Sequence, residues 1–346
     1  MLIFADGFDH YGPNAARLRN GVYAENNGGT LSDENPRTGQ YSLKIWAGQN
    51  DAGVRRVLPA GDASLVGVAY AFSIGSLPTA NFSLGLLQWR TASNAILASI
   101  WVTPTGQLVA LRGGRFGAVM ATSRPCIVTE SYQHFEAARG PGGIEIRING
   151  VTELNIADPG VAGATAQIKL GADGWPLTGA VFINMLVDDL VCWSGDGEAN
   201  NSWFGDVKVY TRMPTADGAD QQWIPSIAGP GYEMIDNIPP ADQTEYLHTQ
   251  FEDQPIRSTF GVADFPEEIV AVRGVYLATR AWKTDAGNAK LTTGVLVDGG
   301  EATSLEHALS MAPVWYGDAF EVNPSTSAPW DVGALNDLQT VLTRTE

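Results

Sequence analysis

Residues 181–210 read VFINMLVDDLVCWSGDGEANNSWFGDVKVY. Apolar, β-branched runs of strand length, Val181–Val187 and Leu190–Trp193, stand on either side of Asp188-Asp189. Ser194–Ser202 is rich in Gly, Asn and Asp, the composition of a loop. Val207 and Val209 alternate with polar neighbours and predict a further strand over Gly205–Thr211. The stretch therefore spells strand, acid pair, loop, strand.

The same grammar runs through residues 1–212. Strands are predicted at Tyr41–Ala47, Gly67–Ile74, Phe82–Trp89, Ile96–Val102, Gln107–Leu111, His134–Arg139, Ile144–Asn149 and Gln167–Leu170, a number and spacing that suit a two-sheet sandwich. Ile144, Ile146 and Ile148 alternate with Glu145, Arg147 and Asn149, so one face meets a core and the other water. Asn149-Gly150 is the preferred pair for a two-residue type I′ hairpin. Ideal pairing across that turn would put Glu153 inside and Leu154 and Ile156 outside. A one-residue bulge near Thr152 is expected to restore the inward pattern.

At 346 residues, with 39 Gly and 19 Pro between short apolar runs, the chain suggests two all-β domains. Composition changes at Arg212–Pro240, which is dense in Pro, Gly and Asp but carries Trp223, Ile224, Tyr232 and Ile235. An ordered connector is expected at 213–240, and a smaller β-sandwich-like domain at 241–346. In that domain Glu268–Lys283 (EIVAVRGVYLATRAWK) reads as a strand with a bulge or bend at Gly274. Ala289–Val297 and Asp318–Val322 read as further strands. Val332, Leu335 and Leu338 have helical spacing and predict a short C-terminal helix before a last strand.

The net charge, 21 − 38 = −17, disfavours nucleic acid as a partner. No apolar run reaches the roughly 18–20 residues of a membrane span. Met1 leads into LIFADGFDHY with no basic segment or cleavage site, so folding in a cytoplasm is expected. The two cysteines, Cys126 and Cys192, read as free thiols.

Three stretches carry a family likeness: FADGFDHY at 4–11, YSLKIWAG at 41–48 and DDLVCWSGDGEANNSWFGDVKVYTRMPTADG at 188–218. Together they resemble the concanavalin A-like (laminin-G-type) jelly rolls of bacteriophage virion proteins. Such proteins carry the same acid pair, a short loop, a Phe/Leu-Gly-Asp-Val strand and a Pro…Asp-Gly exit. The resemblance covers roughly the first two thirds of the chain and implies a jelly-roll domain at 1–212. It further implies a structural protein of the virion, at tail, fibre or head surface. Its partners would be other virion proteins, copies of itself (a trimer being usual for phage appendages) and a host surface glycan.

A glycoside hydrolase on this fold needs two carboxylates facing each other across a concave sheet. No Glu-x-Asp-x-Glu triplet occurs, and Asp188 and Asp189, being adjacent, are expected on opposite faces of a strand. The four histidines form no metal pattern, and His134 reads as a sheet residue, on the surface or hydrogen-bonded inside. For calcium, Asp196, Glu198 and Asn200 offer alternate oxygen donors, but Asn201 and Val207 stand where an EF-hand needs Gly and Glu. Asp188 and Asp189, with Asp206 beside them, are the other metal candidates. The competing role for the pair is acceptance of backbone N–H groups from a neighbouring loop.

No cofactor is required on this reading. Trp46, Trp89, Trp193 and above all Trp203 are the aromatics considered for sugar stacking, against a core role. Trp223, Tyr232, Trp315, Tyr316 and Trp330 are candidate interface anchors. The expectation is a non-enzymatic virion structural protein, with a carbohydrate-binding adhesin as the alternative and a glycoside hydrolase behind both.

Overall fold

The computed structural model describes residues 1–19, 22–47, 52–59, 65–79, 84–157, 163–171, 183–249, 255–266 and 268–345. Among the described residues the fold is nearly all-β, with one short α-helix near the C-terminus and three 3-10 turns. It divides into two compact units, the first extending to Val209 and the second beginning at Tyr210, with the short segment His10–Gly12 belonging to the second.

The first unit is a sandwich of two antiparallel sheets. One runs Val151–Ala157, Gly143–Ile148, Gln133–Gly140, Val66–Ile74, Ile183–Ser194, Ser42–Ala47, Gly29–Ser32, with Leu2–Asp6 also pairing Ile183–Ser194. The other runs Val119–Pro125, Gln107–Arg112, Ile96–Val102, Leu84–Arg90, Gln167–Gly171, Gly53–Val57, Glu25–Asn27. Chain-adjacent strands leave one sheet for the other and return, as in a jelly roll. The Tyr70 hydroxyl of the first sheet donates to the Leu86 carbonyl of the second at 3.0 Å, so these faces enclose the core. Tyr70, Phe72 and Phe135 meet there, with ring centroids 4.9 to 6.4 Å apart.

Val66–Ile74 explains how the outer face of that sheet is used. Val66, Val68, Tyr70 and Phe72 fill the core, whereas Gly67, Ala69, Ala71 and Ser73 alternate with them and point outward. This small-residue floor lets larger groups pack on it. A Cβ on Gly67 would lie 2.0 Å from the Trp193 ring.

Ile144, Ile146 and Ile148 are buried as the alternation requires. Asn149 and Gly150 adopt φ of 50° and 79°, as a type I′ turn needs. The expected bulge is present: Ile146 pairs with Leu154 and Arg147 with Thr152, so Glu153 is the extra residue. Leu154 is thereby buried.

Other expectations are corrected. The runs flanking the acid pair form one strand, Ile183–Ser194, and residues 181–182 lie outside the described residues. Gly205–Thr211 is not a strand. Side chains take up the Gly205 N–H, the Val207 carbonyl and the Val209 N–H, and the Val207 N–H turns back to the Gly205 carbonyl, so no ladder forms there.

In the second unit an antiparallel sheet runs Pro214–Gln221, Ile256–Val262, Gln339–Arg344, Lys290–Val297, Gly300–Thr303, with His307–Ala308 beside Lys290–Val297. Two short ribbons accompany it, Ile224–Pro225 with Leu247–His248 and Val275–Ala281 with Val314–Phe320. The stretch 213–240 thus begins with a strand of this unit's own sheet. Val275–Ala281 is shorter than the run read from the sequence, because Val270 in that run is 95% exposed and packs on nothing. The helix Val332–Asn336 begins where Asp331 accepts the Ala334 N–H at 2.9 Å. It buries Ala334 and Leu335 against Val295, Val297, Phe320 and Trp330. Trp330 is therefore a core residue rather than an interface anchor, its indole N–H donating to the Phe320 carbonyl at 2.8 Å.

Candidate functional site

Asp188 and Asp189 sit where Ile183–Ser194 changes neighbours. Residues 183–187 pair with Ser42–Ala47, and 190–193 pair with Leu2–Asp6. On its other side, pairing with Val66–Ile74 slips by one residue between Asp188 and Val191. Asp189 takes up the slip with φ of 54°, a conformation uncommon outside glycine, Asn and Asp.

This bulge overturns the expectation that the two acids face apart. Both carboxylates converge on the loop that leads into Ser42–Ala47. Asp188 Oδ2 accepts the backbone N–H groups of Arg37 at 2.8 Å and Thr38 at 3.1 Å. Its Oδ1 accepts the N–H of Asp189 at 2.8 Å. Asp189 Oδ2 accepts from the Arg37 guanidinium at 2.8 Å and the Thr38 hydroxyl at 3.1 Å. Asp189 Oδ1 accepts the Val209 N–H at 2.7 Å.

Arg37 completes the cluster. It bonds Asp206 Oδ1 at 2.5 Å and the Val207 carbonyl at 2.9 Å. The guanidinium thus stands among the carboxylates of Asp189 and Asp206, where a metal ion would have to sit. Gly205 N–H donates to Glu136 at 2.9 Å, so residues 205–209 are stapled across the outer face of the sheet.

Burial and the neighbouring charge of Asp189 push the Asp188 carboxyl up to about 7. Burial likewise raises Asp189 and Glu136 above the usual carboxylate range. His134 lies beside Glu136, its Nδ1 3.9 Å from Glu136 Oε2. It is a sheet residue of Gln133–Gly140 as expected, but it is buried and neither ring nitrogen has a hydrogen-bond partner, so it is neither on the surface nor hydrogen-bonded inside through its ring. Burial lowers it to about 4, so it is neutral at neutral pH.

The same device recurs in FADGFDHY. Asp6 accepts from the Phe8 N–H and the Tyr23 hydroxyl, each at 2.8 Å. Asp9 Oδ1 accepts the N–H groups of Gln40 at 2.6 Å and Tyr41 at 2.9 Å. A Cβ at Gly39 would meet Asp9 Oδ2 at 1.9 Å, so only glycine lets the loop close on that carboxylate. Asp6 and Asp9 were not singled out in the sequence, although each adjoins a Gly-Phe or Phe-Asp turn.

The remaining candidates do not converge. Asp196 and Glu198 are exposed and Asn200 half-buried, and the carbonyls of Asp196 and Asn200 accept from the Met1 amino group at 2.7 and 3.0 Å. Among the described residues no three His, Cys, Asp or Glu side chains group as a metal site requires. Trp89 and Trp193 are buried. Trp203 is half-buried, with the Arg147 guanidinium 3.9 Å from its ring centre and the Trp193 ring centroid 5.7 Å away in an edge-to-face arrangement. Lys44 lies 5.3 Å from the Trp46 ring.

Trp223, Tyr232, Trp315 and Tyr316 are half-buried within the second unit. The Tyr232 N–H is held by Asp217 at 2.7 Å, and the Tyr316 hydroxyl donates to the Ala308 carbonyl at 3.2 Å. Cys126 and Cys192 are free thiols, and burial pushes Cys192 up to about 12. No described helix is long and apolar enough to cross a membrane.

No protein-family model matches the chain, and no curated protein matches it either. Among solved structures it is similar to a sialidase, with TM-score 0.40 and 16% identity over 56% of this chain and 18% of that one. It is also similar to the cellulose-induced protein Cip1, with TM-score 0.41 and 17% identity over 55% of this chain and 96% of that one. A third likeness is to the binding domain of Paraclostridial Mosquitocidal Protein 1, with TM-score 0.38 and 13% identity over 55% of this chain and 48% of that one. The chain thus spans less than a fifth of the length of the sialidase.

Proposed function

We propose that this chain is a non-enzymatic structural protein of a virion surface, in tail, fibre or head, with a role in attachment. One observation carries the non-catalytic part. The acid pair that anchors the likeness to phage jelly rolls spends its acceptors on the protein's own backbone and on Arg37. A general acid or nucleophile needs a carboxyl that reaches substrate. Here the pair is fully buried and serves as a staple between a loop and two strand segments. The virion placement rests on the sequence likeness at residues 4–11, 41–48 and 188–218.

On this reading the partners are other virion proteins and further copies of the chain, a trimer among the possible assemblies. Trp223, Tyr232, Trp315 and Tyr316 keep enough exposed surface to take part in such contacts. The carbohydrate-binding reading is favoured separately by the hairpin tip at residues 112–117, where Arg112 and Phe116 are exposed. Mass spectrometry of particles purified from cells that make the chain tests the placement: the chain is expected among the stoichiometric particle proteins. Its absence from them would remove the virion role. Turnover of a polysaccharide by the purified chain would remove the non-enzymatic one.

A further inference from the structure

The chain carries 38 acidic residues, yet residues 63–129 contain no Asp or Glu. They contain four basic residues, Arg90, Arg112, Arg115 and Arg124, so the remainder carries 17 − 38 = −21. Charge is thus segregated along the sequence, and the fold brings part of the basic segment to one exposed point.

That point is the turn between Gln107–Arg112 and Val119–Pro125, reading GGRFGA at 113–118. Phe116 at its tip is 89% exposed, whereas Trp89, Trp101 and Trp193 are buried and Trp46 is 36% exposed. The Arg115 guanidinium lies 5.5 Å from the Phe116 ring centre. Arg112 is exposed and has no side-chain partner among the described residues. Val119 beside it is 57% exposed.

The backbone beneath is fixed. Arg112 N–H donates to the Ala118 carbonyl at 2.9 Å, and Gly117 N–H to the Gly114 carbonyl at 2.8 Å. The next strand grips the turn at Gly113, whose N–H donates to Leu97 O at 2.9 Å and whose carbonyl accepts from Ser99 Oγ at 2.6 Å. A Cβ at Gly117 would lie 1.7 Å from the Arg112 carbonyl oxygen, so the glycine is required for the tight closure that projects Phe116. Below the turn Trp101, Val109 and Leu111 form a buried cluster. A large aromatic held out in water on so constrained a support loses little freedom on binding.

We propose that this tip binds a carboxylate-bearing sugar, Phe116 stacking on the apolar face of the ring and Arg112 receiving the carboxylate. A planar guanidinium matches a carboxylate in a two-point fork. The −21 borne by the rest of the chain disfavours long polyanions such as nucleic acid. A single sugar acid stays within about 8 Å of the Arg112 guanidinium, the physiological screening length. A convex tip with one ring presents no groove for a helix or a strand of a protein partner. The inference deepens the attachment reading but stands on the hairpin alone.

The test uses the full chain and a panel of uronic- and sialic-acid oligosaccharides, with the carboxyl-reduced forms, polyglutamate and phosphatidylserine vesicles as controls. Binding is expected for the carboxylated sugars, weakening as salt rises. Phe116→Ala and Arg112→Gln are each expected to weaken it by about tenfold, with unchanged melting temperatures. Equal binding of the carboxyl-reduced sugars, no effect of either substitution, or no sugar binding at millimolar concentration would overturn the proposal. So would binding confined to polyglutamate or to vesicles. Loss of the virion placement would leave a positive sugar result standing, so the two readings fail separately.

Discussion

The acid pair at 188–189 and the hairpin tip at 112–117 belong to the same sandwich and treat charge in opposite ways. Asp188 and Asp189 are fully buried and every contact they make is internal. Arg112 and Phe116 are exposed, and the backbone beneath them is tied by hydrogen bonds. Charge spent inside stabilises one arrangement of loops; charge held outside on a fixed support is available to a ligand. The pair that stands out in the sequence is thus structural, and the plain Arg-Phe turn is the better candidate for recognition.

This contrast can be broken at several points. Arg37→Ala removes the cation between Asp189 and Asp206 and leaves a buried carboxylate without its ion pair. It is expected to cost about 3–5 kcal/mol in urea unfolding. A loss within the error of the measurement would mean that the cluster does not hold the loop.

The pH dependence sharpens the same point through two opposed groups. His134 is lowered from 6.5 to about 4, so its contribution is complete above pH 6.5 and is lost as pH falls toward 4. Asp188 is raised from 3.8 to about 7, so its contribution is complete below pH 3.8 and is lost as pH rises through 7. The stability difference between the protein and His134→Gln is therefore expected to fall by about 3 kcal/mol from pH 7 to pH 4. The difference between the protein and Asp188→Asn is expected to rise over the same interval. Unfolding curves taken at intervals across this range read both. Parallel pH profiles for all three proteins would contradict the buried placement of these groups.

At the hairpin the expected effect on stability is the smallest. Phe116→Ala removes a side chain that buries almost nothing and is expected to change stability by less than about 0.5 kcal/mol. A larger loss would mean that the ring is part of the fold rather than presented to a partner.

Much of the sandwich was legible because alternation and turn chemistry act locally. Asn149-Gly150 and the isoleucines of 144–148 sufficed to demand a bulge, and it occurs at Glu153. Helical spacing at Val332 and Leu335 likewise located the only described α-helix. The acid pair defeated the same reasoning, because opposite facing holds for a regular strand and Asp189 sits in a bulge with positive φ. A buried pair of adjacent acids itself signals such a break, since both must find donors. Val207 and Val209 alternate as a strand would, but Arg37 and Asp189 capture the backbone around them. Phe116 carried no signal in its own type or spacing; the long interval without acids around it was the available clue.

Equilibrium unfolding of Asp188→Asn and Asp189→Asn, beside a polysaccharide turnover assay of the unaltered chain, bears most directly on the structural role of the pair. Each substitution is expected to cost about 1–3 kcal/mol when read below neutral pH, where Asp188 still makes its contribution, with no turnover of any polysaccharide by the unaltered chain. Hydrolysis that either substitution abolishes while leaving stability intact would contradict it.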